Sequence, residues 1–196
     1  MKILLLACLT WLAPSPAHAF LDGFFDPVPD EVPLTDQRLK ASQDGWDSLI
    51  PEDAYDFVPD EPTIELITSD EFQAQLRRAE SAVNRTLAGS MIQLGGFMVP
   101  LEMEGDQVTQ FLLVPEPGQC VHLPAPPVNQ TVLVDATASP VEFRSLYDPI
   151  WVQGPVEVFQ EDVEIAQTGY RIMAPRISNL LIEGYNPSDV PRHEGD

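Results

Sequence analysis

"GGFMVPLEMEGDQVTQFLLVP", residues 95–115, decides the fold. Two runs rich in Val, Phe, Leu and Met flank the acidic turn "EGDQ", and their composition is that of strands. Extending outward, the first run begins at Met91 as "MIQLGGFMVPLEM", and runs of the same kind recur as "NQTVLVDA" (129–136), "PIWVQGPVEVF" (149–159) and "GYRIMAPRIS" (169–178). Gly, Pro and acidic turns separate them. Five strands without alternating helices predict a mainly β chain, an antiparallel barrel or sandwich, and roughly ninety residues suit a small five-stranded barrel of the OB kind. Gly95, Gly96 and Gly154 fall inside strand patterns, where bulges or barrel corners are expected.

One N-terminal helix is expected to pack on that barrel. In "TSDEFQAQLRRAESAVNRTL" (68–87), Thr68 and Glu71 form a capping-box pattern, and Phe72, Leu76, Ala79, Val83 and Leu87 recur at helical spacing up to a stop at Gly89. Residues 20–65 read as an acidic, Pro-rich arm, partly disordered, because "DPVPDEVP" and "PEDAYDFVPDEP" remove backbone donors; Trp46, Leu49, Ile50, Tyr55 and Phe57 imply that its latter half lies against the domain. The folded unit is therefore set at 66–182 and a polar tail at 183–196.

Residues 1–19 form a secretory signal peptide: Lys2, a short apolar run, then Ala17 and Ala19 as an A-x-A cleavage signal. Export to the periplasm follows, with lipid attachment at Cys8 through "LLAC" as the lesser alternative. No segment of the mature chain is long and apolar enough for a transmembrane helix. Cys120 is then the one remaining cysteine, so an intramolecular disulfide is not expected. Ten Lys and Arg oppose 31 Asp and Glu, a formal net charge of −21. Such a field repels phosphate backbones, which argues against nucleic-acid binding.

"GQCVHLPAPPVNQ", residues 118–130, is the candidate site. In an extended chain Cys120 and His122 leave the same face, and thiolate with imidazole makes half of a zinc or copper(I) site. Two more ligands would have to come from His193, Glu102, Glu104, Glu116 or Asp135. A second reading makes Cys120 a nucleophile with His122 as base. It is opposed by the absence of Lys and Arg from Thr86 to Phe143, since carboxylates raise a thiol pKa, although Arg144, Arg171 or Arg176 could fold in. A third reading is structural: Pro124, Pro126 and Pro127 stiffen a loop that closes the barrel or presents a partner-binding surface, with Asn129 and Gln130 bonding its exposed backbone. G-x-S-x-G, H-E-x-x-H, Walker and G-x-G-x-x-G patterns are absent, so a non-catalytic protein is expected.

The run from Gly95 to Val134 resembles the signature of the bacterial secreted family known as domain of unknown function 3299. Gly96, Pro100, Leu101, Phe111, Pro115, Cys120, His122, Pro124, Pro126, Pro127, Asn129 and Gln130 match it, while Glu116, Pro117, Gln119 and Ala125 depart from it within the loop. The resemblance, extended by "GWDSLIP" and "GYRIMAPRIS", implies a periplasmic or lipid-anchored protein with an OB-like barrel and no assigned activity. It further implies an association with ABC-type permeases and metal starvation, and so favours zinc handling or docking in a metal-linked transport system.

Overall fold

The computed structural model describes residues 27–121, 123, 125–163, 165–173 and 175–189. The expected signal peptide with Cys8, the first residues of the arm, His122, Pro124 and His193 lie outside the described residues. The chain is mainly β sheet with a few helices. Among the described residues no helix is long and apolar enough to cross a membrane.

The arm is more ordered than its prolines suggest. It holds a short strand, β1 (Glu31–Pro33), and a 14-residue helix, α1 (Asp36–Leu49). Prolines punctuate this segment without entering the helix: Pro33 precedes it and Pro51 follows it. Thr35 caps α1 by accepting the Arg38 N–H at 3.2 Å, with Asp36 in the first turn. The helix buries Trp46 and Leu49 against the sheet. Trp46 Nε1 donates to Gly95 O at 2.9 Å, while the Ser42 hydroxyl accepts the Gly95 N–H at 2.8 Å. A single glycine of the next strand therefore receives α1.

A four-residue turn, α2 (Ile64–Ile67), leads into α3 (Asp70–Ser81). The cap of α3 is Ser69, which accepts the Phe72 N–H at 3.2 Å. Thr68, the expected cap, instead donates its hydroxyl to Ile64 O at 2.8 Å and closes the preceding turn. α3 buries Phe72 and Ala79 and stops at Ala82, earlier than its apolar pattern implies. The reason lies beyond the helix: the Tyr170 hydroxyl takes the Asn84 N–H, and Val83 and Leu87 pack on the core from an irregular segment. Among the described residues the packed helices are thus two, α1 and α3, where one was expected.

The remaining strands are β2 (Met91–Glu104), β3 (Gln107–Val114), β4 (Val132–Asp135), β5 (Val141–Glu142), β6 (Pro149–Val163), β7 (Ala166–Met173) and β8 (Arg176–Leu181). Among the described residues the sheet contains eight strands, more than the five expected. "GYRIMAPRIS" supplies two of them, β7 and β8, on either side of Pro175. β5 pairs with β3, and β1 and β8 extend the sheet from β6. β2, β3, β4, β7 and β6 pair in that sequence, and β6 pairs again with β2, so the path closes on itself. The pairing is not antiparallel throughout, because β4–β7 and β1–β8 are parallel.

Alternation divides the side chains into two layers. Leu94, Val108, Phe111, Leu113, Val132, Val134, Val152 and Tyr170 belong to the main core, which α1 joins through Trp46 and Leu49. Val99, Leu112, Val114 and Leu133 form a second apolar cluster. The glycines do not mark the bulges. Gly95 and Gly96 pair regularly with Trp151 and Ile150, while the register slips between Pro100 and Met103 and between Val158 and Glu161. Their role is close approach: a Cβ on Gly96 would lie 2.6 Å from Val114 O, and one on Gly154 2.5 Å from Ile172 Cγ2.

Candidate functional site

The 115–131 loop joins β3 to β4 and divides into two parts with different surroundings. In the first, Gly118 turns with φ 81° and Cys120 with φ 66°. Cys120 is the only described non-glycine residue in the left-handed region. Leu123 N–H donates to Gly118 O at 3.0 Å, and Glu116 N–H to the Gln119 side chain at 3.1 Å, so the chain curls back on itself. The backbone at Cys120 is therefore not extended, and His122 lies outside the described residues. The strand geometry that would place both side chains on one face does not apply at Cys120.

Cys120 is half-buried and packs against the second apolar cluster. Burial pushes its thiol up from the ordinary value. Among the described residues no group of three His, Cys, Asp or Glu side chains is placed to hold one metal ion. Glu102, Glu104 and Glu116 are exposed, and Asp135 accepts the Thr137 N–H at 3.0 Å. Two of the three arginines that could have activated the thiol are engaged elsewhere. Arg144 pairs with Glu31 at 3.3 Å, and Arg171 pairs with Glu157 at 2.8 Å while lying over the Phe159 ring.

In the second part of the loop Pro127 is extended, with φ −53° and ψ 153°, and leads into a 3-10 turn over Val128–Gln130. The Thr131 hydroxyl donates to Pro127 O at 3.1 Å. Asn129 is wholly buried; its amide nitrogen donates to Ala79 O at 2.9 Å, near the end of α3, and its amide oxygen has no partner among the described residues. Tyr55 lies beside it. Burial raises that phenol first and the Glu80 carboxylate second, with the Asn129 amide acting in the opposite sense. Gln130 Nε2 donates to Trp46 O at 3.1 Å and to Asn129 O at 2.9 Å. The Asn-Gln pair therefore ties the loop to α3 and to α1.

That attachment creates a groove. A cavity of about 400 Å3 lies between α3, the proline segment and the β6–β7 hairpin, lined by Arg77, Glu80, Ser81, Pro126, Pro127 and Gln167 among others. A second lobe of about 200 Å3 shares Ser81, Val128 and Gln167 and adds Gln160, Asp162 and Thr168. The amides on its hairpin side are held in place: Gln160 Nε2 donates to Ser81 O at 3.3 Å, and Gln167 Nε2 to Asp162 Oδ1 at 2.6 Å. Pro126 and Pro127 thus line a concave surface, Asn129 and Gln130 sit behind it as supports, and Cys120 packs in a different environment. Arg77, Glu80, Gln160 and Gln167 carried no sequence signal, because the elements that assemble them are about eighty residues apart in the chain.

The sequence profile described as Protein of unknown function (DUF3299) matches residues 46–179. Among solved structures, the crystal structure of a DUF3299 family protein from Pseudomonas aeruginosa PAO1 is 32% identical to this chain. The match covers 81% of this chain and 100% of that one, with a TM-score of 0.53. No curated protein matches.

Proposed function

The chain belongs to the DUF3299 family of proteins of unknown function, and on that footing we propose that it is a non-catalytic periplasmic binding or accessory protein whose groove between α3, the proline segment and the β6–β7 hairpin grips an extended segment of a partner. The observation that carries this reading is the way the groove is supported. A rigid proline wall, pinned from behind by Asn129 and Gln130, faces side-chain amides already fixed by hydrogen bonds, so little order has to be gained on binding. An extended segment would lay an apolar side chain against Pro126 and Pro127 and meet Gln160 and Gln167 with its backbone. The closed pairing path of β2, β3, β4, β7 and β6, with its parallel β4–β7 step, supports an OB-like five-stranded barrel as scaffold, to which β1, β5 and β8 are additions. By family resemblance the partner is an ABC-type permease or another periplasmic protein.

A photo-crosslinking residue introduced at Ser81 tests the groove in cells. A protein adduct is expected, and Pro126→Ser with Pro127→Ser is expected to reduce it about tenfold. Adduct formation that is unchanged in the double variant moves the partner to another surface.

The competing reading, zinc or another soft ion held by Cys120 and His122, is separated by zinc titration of the reduced mature protein. Stoichiometric binding that is lost in both Cys120→Ser and His122→Ala would move the function there. A thiol enzyme needs an ionised Cys120 near neutral pH. Burial acts the other way, so the pH midpoint of alkylation by iodoacetamide is expected above the ordinary thiol value of about 8.5; a midpoint below about 7 would favour catalysis.

A further inference from the structure

A second surface, separate from the groove, is formed by the segment that precedes α3. Ile64 is 77% exposed, and Val58, Leu66 and Ile67 are each more than a third exposed, so four aliphatic side chains face solvent within ten residues. Their support is ordered. Phe57 stacks with Tyr55 and meets Phe72 of α3 edge-on, with ring centroids 5.3 Å apart in the latter pair. Thr63 caps α2 by accepting the Leu66 N–H, and Gln73 Nε2 donates to Ile67 O at 2.7 Å. The aliphatic cluster is therefore fixed on the start of α3.

The charges carried by this segment have one sign. Asp56, Asp60, Glu61, Glu65, Asp70 and Glu71 are all exposed, and none is in an ion pair with a described residue. No Lys or Arg occurs between Lys40 and Arg77. A second copy of the chain would bring two such carboxylate sets together, which opposes self-association here. An anionic membrane surface is repelled for the same reason. Complementarity of both shape and charge requires a partner with apolar residues on one face and Lys or Arg along its edges.

We propose that the segment from Asp56 to Glu71 is a docking surface for a cationic amphipathic helix of a protein partner, with Ile64 and its aliphatic neighbours as the apolar contact and the surrounding carboxylates as the steering field. It does not depend on the groove, and loss of either activity leaves the other to be measured.

The test uses the mature chain and three fluorescent 16-residue peptides: a Leu/Lys helix with leucines on one face, a Ser/Lys peptide of equal charge, and a Leu/Glu helix. Binding is read by fluorescence anisotropy at physiological salt. The Leu/Lys helix is expected to bind at least about tenfold more tightly than the Ser/Lys peptide, and the Leu/Glu helix not at all. Ile64→Ser with Ile67→Ser is expected to weaken the Leu/Lys complex about tenfold. Glu61→Gln with Glu65→Gln is expected to flatten its salt dependence more than Glu102→Gln with Glu104→Gln, which removes the same charge from β2. All four positions in the first two variants are exposed, so folding is expected to survive, and circular dichroism checks it.

Equal binding of the Ser/Lys peptide would reduce the effect to the net charge of the chain and overturn the proposal. Unchanged affinity in the Ile64→Ser, Ile67→Ser variant would do the same. A wild-type dimer that becomes monomeric in that variant would assign the surface to a second copy instead.

Discussion

Tyr170→Phe is expected to lower the free energy of unfolding by about 2–3 kcal/mol, for the loss of one oxygen atom. The Tyr170 side chain is wholly buried, and its hydroxyl accepts the Asn84 N–H and donates to Leu49 O. Leu49 ends α1 and Asn84 follows α3, so the phenol on β7 joins both packed helices to the sheet. Phenylalanine fills the same space but leaves a backbone donor and a backbone acceptor without partners. Urea unfolding followed by tryptophan fluorescence is expected to shift its midpoint down by about 1 M, given a slope of about 2–3 kcal/mol per molar for a domain of this size. A shift of less than about 0.2 M would mean that water replaces both bonds.

The same hydroxyl sets an alkaline limit. Burial raises its pKa above the ordinary phenol value of about 10, with the Asn84 N–H acting in the opposite sense. Because the folded protein holds this proton more tightly than the unfolded chain, the contribution is fully present below about pH 10. It is lost as pH rises from there through the folded-state pKa. The wild type is therefore expected to lose stability between pH 10 and 11 more steeply than Tyr170→Phe, as read by urea titrations at fixed pH.

Gly45→Ala is expected to destabilise the protein by about 1–3 kcal/mol, although alanine is the better helix former by about 1 kcal/mol. A Cβ at Gly45 would lie 2.5 Å from Gln93 O and 2.9 Å from Leu94 Cδ2, both on β2. Only Gly45 lets α1 approach the strand closely enough for Trp46 to reach Gly95 O at 2.9 Å. Gln43→Ala, at an exposed position of the same helix, provides the comparison: a small gain there and a loss at Gly45 separate contact from propensity. Equal stability of Gly45→Ala and wild type would show that α1 can shift outward without loss.

The strands were legible because each carries its own signal. β2, β3 and β4 lie within or across the runs read from their β-branched and aromatic residues, and β6 extends the expected run by four residues to Val163. The helix α1 was not legible, because Pro33, Pro51 and the surrounding acidic residues dominate the composition of a window that includes it, while only Trp46 and Leu49 bury a strong apolar face. β1 is three residues long and exists by pairing with β8, a partner nearly 150 positions away, so no local pattern encodes it. At the site, Pro126 and Pro127 were legible as a rigid segment. The inward role of Asn129 and Gln130 was not, since their partners, Ala79 O and Trp46 O, are main-chain atoms on other elements. The left-handed turn at Cys120 also escaped, because cysteine carries no preference for it.

The parallel contact of β1 with β8 bears on the order in which this domain can assemble. Val32 pairs with Leu180, and α1, anchored by Gly95, lies in the chain immediately after β1. β4, likewise, must wait for β7 to complete its second edge. The chain can pair β2 with β3 early, since only Gly105 and Asp106 connect them, but β1 has no partner until β8 is in place. Contacts this distant in sequence make folding slow, on the millisecond-to-second scale of high-contact-order β domains. Until then the apolar edge of β6 stays open to other chains, so association between chains competes with closure of the sheet.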